Sequence, residues 1–151
     1  LIQYTNNAEE LSGVLCHEIG HIQKNHVQKK LLKEIGMTML FTLAGGDGSQ
    51  EIITEVTKTL SSTSFDRDYE NEADEFSVEV LAKANIDPEH FSNLMFRIAQ
   101  DQNLPEILTW ISTHPDTKDR VANIIRLSKK YSFNPLPILV TPWTEVKALL
   151  D

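Results

Sequence analysis

The sequence has little of several features that would assign it to a common class. Its 151 residues include one cysteine, Cys16, which excludes a disulfide framework and a cysteine-rich zinc module. It has 14 basic against 22 acidic residues, and a net charge of −8 argues against a general nucleic-acid binder. The longest uncharged stretch, residues 35–46, is shorter than the roughly 20 residues of a transmembrane helix, although it suits a buried helix end or a shallow membrane contact.

The composition is that of a folded protein. Apolar residues make up 40% of the chain and charged residues 24%. We predict one domain over residues 1–151, with a less regular C-terminal tail over residues 131–151. The chain starts at Leu1 without an initiator methionine or a secretory leader, and we interpret it as a processed or truncated piece.

Helical periodicity dominates, so a mainly α fold with little or no sheet is predicted. Asn7 is a suitable N-cap with Glu10 three residues later, and the helix that follows is expected to run to about Ile35 or beyond. Its predicted core-facing stripe is Leu11, Leu15, Ile19 and Ile22. We expect further helices at 50–60, 65–84, from 88, from 104 and at 117–130, loops at 45–49 and 112–116, a strand at 138–140, and a short helix from 141.

The pattern His-Glu-x-x-His at residues 17–21 predicts a zinc site. On a helix His21 lies about 40° from His17 and one turn further on, so both imidazoles can hold one ion. Glu18 points about 100° away, which suits a general base better than a ligand. His26 would lie about 180° from His17 on a continuous helix, so we interpret it as a buried packing residue.

A catalytic zinc site needs a third protein ligand, and the acidic run at 66–75 offers two pairs of carboxylates four residues apart. Spacing allows either Glu70 with Asp74 or Asp68 with Glu72. The Glu70/Asp74 line is flanked by the small residues Ala73 and Ser77, which would let the two helices approach closely. This favours Glu70 as the third ligand and Asp74 as its neighbour that orients a ligand histidine.

Three motifs in this order resemble one metallopeptidase family. They are LSGVLCHEIGH at 11–21, RDYENEAD at 67–74, and STHP at 112–115 followed by Arg120. The family is that of the gluzincins that include the CaaX prenyl proteases, the HtpX heat-shock proteases and the BepA/Oma-type proteases, and the resemblance covers about residues 8–127.

The resemblance implies a gluzincin-like helical core in which the upstream edge strands are missing. It makes His17, His21 and Glu70 zinc ligands and Glu18 the catalytic base. It also brings two further residues to the site. His114 would approach the metal or the oxyanion of the reaction, Arg120 would lie nearby, and either could act as a catalytic residue that helps the metal stabilise this oxyanion.

The function implied is a Zn²⁺-dependent endopeptidase that hydrolyses proteins or peptides, with a role in envelope protein quality control. By the same resemblance we expect a periplasmic or membrane-associated setting and peripheral membrane association. The alternative is a zinc-binding but catalytically impaired fragment that acts as a scaffold or a partner-binding module.

Overall fold

The computed structural model of the chain describes residues 1–43, 67–100, 110, 112–114, 117–138 and 142–149. After a 3-10 turn at Ile2–Tyr4, these ranges contain α1 (Ala8–Gln23), α2 (His26–Leu43), α3 (Arg67–Lys83), α4 (Glu89–Gln100), α5 (Thr117–Ser128) and α6 (Trp143–Ala148). No strand occurs in them, and the mainly α fold is confirmed. The helices predicted at 50–60 and from 104, the loop at 45–49 and most of the strand at 138–140 lie outside the described residues.

Several helix ends follow from their local chemistry. The Asn7 side chain accepts a hydrogen bond from the Glu10 backbone N–H at 2.8 Å, so Asn7 is the cap of α1 as predicted. α3 ends two residues before Asn85, whose φ of 56° is a left-handed conformation that stops a helix. α4 follows Pro88, and the Asp87 carboxylate accepts from the backbone N–H of Glu89 at 2.9 Å.

The single helix predicted from Asn7 to about Ile35 is wrong, because the chain breaks between α1 and α2. Asn25 lies at the break with φ of 55°, and asparagine tolerates this left-handed region better than most residues. The Lys24 backbone N–H bonds to the Gly20 carbonyl at 3.0 Å and that of Asn25 to the Ile22 carbonyl at 3.0 Å, which closes α1. The break redirects the chain, so His26 does not lie on the far side of α1.

The outward face of α1 also differs from the prediction. Three of the four residues in the predicted core-facing stripe are exposed, with relative exposures of 52% for Leu15, 51% for Ile19 and 74% for Ile22. The buried face of α1 instead carries Glu10, Gly13, Val14, His17, Gly20 and His21. The helix therefore packs through the same side that carries its histidines, and its core face and its chemical face are one.

Small residues let α1 and α3 approach each other closely at this face. A Cβ atom on Gly20 would lie 3.0 Å from Ala73 Cα and 3.1 Å from the Ala73 carbonyl oxygen. One turn further along α3, the Ser77 hydroxyl donates to the Gly13 carbonyl at 3.0 Å. Below this contact lies the apolar core, formed by Val14, Val78, Leu81, Phe91, Leu94, Met95, Ile98, Ile124 and Leu127.

The C-terminal part is less regular, and its last helix lies against the start of the chain. Residues 131–138 have no regular secondary structure. The Trp143 indole N–H donates to the Thr5 carbonyl at 2.9 Å, and the Lys147 ammonium donates to the Gln3 carbonyl at 2.8 Å. Within the described ranges, none of the helices is both long and apolar enough to cross a membrane.

We predict that Gly20→Ala destabilises the metal-free protein by about 1–3 kcal/mol, because the new methyl group meets backbone atoms of Ala73 that cannot move independently. Gly36→Ala in α2 is the control. Its methyl group would meet nothing within 4 Å, so the gain in helix propensity should stabilise the protein by up to about 1 kcal/mol. Urea denaturation measures both, and equal effects of the two variants would contradict the close approach.

Candidate metal centre

Four buried side chains from three parts of the chain converge on one point. His17 and His21 come from α1, Glu70 from the first turn of α3, and His114 from the segment before α5. One potential ligand atom from each lies within 4.8 Å of all the others. His21 Nε2 is 3.0 Å from His17 Nε2 and 3.3 Å from Glu70 Oε1. His114 Nδ1 is 3.1 Å from Glu70 Oε1 and 3.3 Å from His17 Nε2.

The donor set fits a zinc ion. Three imidazole nitrogens and one carboxylate suit a tetrahedral ion of intermediate softness, whereas Mg²⁺ and Ca²⁺ favour all-oxygen sites. All four side chains are buried and their donor atoms converge on one point, as the ligands of a single ion do.

A buried ion pair between Asp74 and Arg120 lies against two of the residues in the ligand cluster. Asp74, one turn after Glu70 on α3, has its Oδ1 2.9 Å from His17 Nδ1. Arg120 of α5 donates to both oxygens of Asp74, at 2.8 Å from Nε and 2.7 Å from Nη2. Its Nη1 lies 2.5 Å from Glu70 Oε2. Arg120 thus faces the carboxylates and holds them in place.

These contacts keep both carboxyl groups ionised. Burial alone would raise the pKa of Glu70, but hydrogen bonds from His114, His17 and His21 and the charge of Arg120 outweigh it and hold that pKa well below its usual range. Burial likewise opposes ionisation of Asp74, and the bonds from Arg120 and His17 lower its pKa in spite of it. Both groups are therefore anionic at neutral pH.

Glu18 lies at the open side of the cluster. Its side chain is 44% exposed, which matches a group that meets solvent and substrate. Glu18 Oε1 is 3.3 Å from His114 Nε2 and 3.4 Å from the Trp110 indole nitrogen. The Trp110 ring stacks on that of His114, with centroids 4.9 Å apart. Ser112 and Thr113 between them lie in a helical turn, not in the predicted loop.

Behind His21 the structure places His26, which the sequence analysis interpreted as a packing residue, and Glu72, which it did not favour as a ligand. His26 is fully buried, and its Nδ1 lies 2.9 Å from His21 Nδ1. Its Nε2 lies 3.2 Å from the Glu72 carboxylate. Burial lowers the pKa of His26 and outweighs the hydrogen bond with Glu72, which would raise it, so the imidazole is neutral at pH 7. The signal available in the sequence was Asn25, which favours a helix break just before this histidine.

The structure distinguishes between the two candidate carboxylate pairs. Glu70 and Asp74 are buried against the histidines of α1. Asp68 is exposed, and Glu72 turns towards His26 instead of the ligand cluster. Every residue that the three motifs suggested for the site therefore lies in or beside it. Trp110 is an addition for which the sequence carried no particular signal.

Two histidines one helical turn apart, a glutamate between them and a second glutamate from another helix form a centre of the metallopeptidase type. Residues 1–128 match peptidase family M48, and the chain belongs to this family. The predicted resemblance to this metallopeptidase family is thereby confirmed.

Relatives with similar sequences carry protease names. The chain is 28% identical to the "Beta-barrel assembly-enhancing protease" of Yersinia pestis, in an alignment covering 82% of this chain and 28% of the relative. It is 28% identical to "Metalloendopeptidase OMA1, mitochondrial" of Bos taurus, covering 84% and 27%. For "Metalloprotease LoiP" of Escherichia coli K12 the identity is 24%, covering 76% and 48%. The chain thus spans only a part of the length of each relative.

We expect Arg120→Met to destabilise the metal-free protein by about 3–5 kcal/mol, because it leaves Asp74 and Glu70 buried without their cation. Arg126→Met is the matched control, since Arg126 lies on the same helix, is exposed and donates a hydrogen bond to the uncharged Asn123 Oδ1 at 2.6 Å. Urea denaturation in the presence of a chelator measures both. A loss for Arg120→Met no larger than for Arg126→Met would contradict the supporting role.

Proposed function

We propose that this chain is a zinc-dependent endopeptidase domain in which His17, His21 and Glu70 hold the metal. The observation that carries the proposal is the buried convergence of these three side chains with His114, beside the exposed carboxylate of Glu18. When bound, zinc supplies Lewis-acid activation of water and of the carbonyl group of the scissile peptide.

Glu18 acts as the general base and later as the general acid. It follows the first ligand histidine directly in sequence, yet its carboxylate is outside the ligand set and half open to solvent. A carboxylate so placed takes a proton from the attacking water and delivers it to the leaving amine. The Trp110 indole N–H donates to Glu18 Oε1 and limits the directions in which this carboxylate can turn.

Asp74 and Arg120 position the ligands. Asp74 accepts the Nδ1 proton of His17, which leaves His17 Nε2 free of a proton and directed at the ligand cluster. Arg120 fixes the orientation of Asp74 with two hydrogen bonds and neutralises part of the charge of Glu70. We therefore assign Arg120 to this support and not to stabilisation of the oxyanion.

His114 is assigned to the metal side of the site. Its Nδ1 belongs to the set of four ligand atoms, and its Nε2 faces Glu18. Four protein ligands close a zinc site, whereas a catalytic site keeps one position for water or substrate. Hydrolysis in this proposal requires His114 to leave one position of the metal open to water or substrate.

Protein substrates in the cell envelope are the proposed targets, with a role in protein quality control. The name "Beta-barrel assembly-enhancing protease" of the relative from Yersinia pestis supports this proposal. We also propose peripheral contact with a membrane. The second half of α2 supports it with exposed apolar side chains, which include Met37, Met39, Leu40 and Leu43.

The purified chain should contain about one zinc ion per molecule, and His17→Ala should lose it, because removal of one of three ligands leaves too few donors. His90→Ala, a histidine outside the cluster, should keep its zinc. Zinc content should also fall below about pH 6, where protons compete for the imidazoles. Elemental analysis after gel filtration measures each case, and a zinc-free wild type under metal-replete neutral conditions would refute the site.

Glu18→Gln should retain zinc but lose peptidase activity by about 100- to 10,000-fold, because the amide cannot accept the proton from water. The control Glu75→Gln changes an exposed carboxylate on α3 and should leave both properties unchanged. Cleavage of an unfolded, fluorescently labelled protein measures the activity.

Wild-type activity in Glu18→Gln, with contaminating proteases excluded, would contradict the mechanism. A wild-type chain that binds zinc but cleaves nothing would support the alternative of a scaffold or partner-binding module.

A further inference from the structure

We infer that His26 is a positioning residue for the ligand His21, and that Glu72 fixes the tautomer of His26. The inference deepens the proposed function and rests on His21 being a zinc ligand. The arrangement is a chain of three side chains that begins at a surface carboxylate and ends at the ligand cluster. It consists of Glu72, His26 and His21.

The contacts along this chain are continuous. Glu72 Oε2 lies 3.2 Å from His26 Nε2, and His26 Nδ1 lies 2.9 Å from His21 Nδ1. The other nitrogen of His21, Nε2, belongs to the ligand cluster, at 3.3 Å from Glu70 Oε1. Each imidazole therefore uses one nitrogen towards the metal centre and the other towards the protein surface.

One arrangement of protons in the neutral rings satisfies both of these contacts once His21 binds a metal through Nε2. That nitrogen must then be unprotonated, so the neutral ring carries its proton on Nδ1 and donates it to His26. His26 Nδ1 is the acceptor, which places the His26 proton on Nε2. This N–H in turn donates to the Glu72 carboxylate, which can only accept.

The His26 ring is held so that it can do this. Its side chain is fully buried, and its ring stacks on Tyr69 with centroids 4.6 Å apart and planes 12° from parallel. The left-handed Asn25 directly before it ends α1 and turns His26 back towards His21. A continuous helix would place His26 about 140° around the axis from His21, out of reach of its Nδ1.

His21 and His17 thus have different supports. His17 is oriented by Asp74, a buried carboxylate that is itself paired with Arg120. His21 is oriented by a neutral imidazole, and the negative charge lies one residue further away on Glu72, whose side chain is 43% exposed and 3.7 Å from Lys29 Nζ. The second support adds no charge to the interior of the site.

Loss of this support should weaken zinc binding without removing a ligand. Residues that orient metal ligands typically change metal affinity by about 10- to 100-fold when mutated. We expect a loss in this range for His26→Phe, which keeps an aromatic ring on Tyr69 but has no nitrogen. His26→Asn should lose less, because its Oδ1 can accept from His21 in the place of Nδ1.

Glu72→Ala tests the outer end of the chain with little risk to folding. We expect its zinc dissociation constant to rise by about 10-fold, the lower end of that range. Glu79→Ala is the matched control, since Glu79 lies on the same helix, has a side-chain exposure of 42% against 43% for Glu72, and also pairs with a lysine. It should bind zinc like the wild type.

The experiment is chelator competition on the 151-residue chain, which gives the zinc dissociation constant of each variant, with thermal unfolding of the metal-free forms as a check of folding. The inference is supported if zinc affinity is highest for the wild type and Glu79→Ala, lower for His26→Asn, and lowest for His26→Phe. Equal affinities for Glu72→Ala and Glu79→Ala would overturn it, even if His26→Phe fails to fold. A wild type without zinc would instead refute the proposed function on which the inference rests.

The tautomers give a second readout that a merely structural role would not produce. In ¹⁵N-labelled, zinc-loaded wild type, NMR should show His26 protonated on Nε2 and His21 on Nδ1. A His26 ring protonated on Nδ1 instead would overturn the inference. In Glu72→Ala we expect the His26 resonances to shift, while those of His90 stay unchanged.

Discussion

The close packing of α1 on α3 is the constraint on which the metal centre depends. Gly20 lies against the backbone of Ala73, and the hydroxyl of Ser77 reaches the carbonyl of Gly13. Because the two helices are this close, the histidine side chains of α1 and the carboxylates of α3 contact each other directly. The cost is that polar and charged groups are buried in the interface, and Arg120 from α5 makes that burial tolerable.

Much of the site could be predicted from the sequence because its chemistry depends on helical spacing. His17 and His21 are one turn apart, and so are Glu70 and Asp74, so each pair shares a face wherever the helices lie. The small residues beside Glu70 also indicated which acidic pair would approach α1. His114 and Arg120 depend on tertiary structure, and only the family resemblance brought them to the site. Their roles, like those of the ligands, remain proposals.

The errors concern the part of the first helix where local and tertiary preferences diverge. Leu15, Ile19 and Ile22 form an apolar stripe, yet the opposite face of the helix is buried. That face carries small residues, which let it approach α3 closely. The helix periodicity also continues through Asn25, although the backbone there is left-handed. Hydrophobic patterning averages over many residues and does not register a single break, and this break is what brings His26 to His21.

The ligands of the centre come from segments far apart in the chain. The contact between Glu70 and His114 spans 44 residues, and that between His17 and His114 spans 97. An ion held by these residues would act as a cross-link that closes two large loops of the chain, as a disulfide bond does in other proteins. In this chain, whose single cysteine is Cys16, a metal ion bound as proposed would tie these distant segments together, and its removal would be expected to loosen the fold as well as to disable the chemistry.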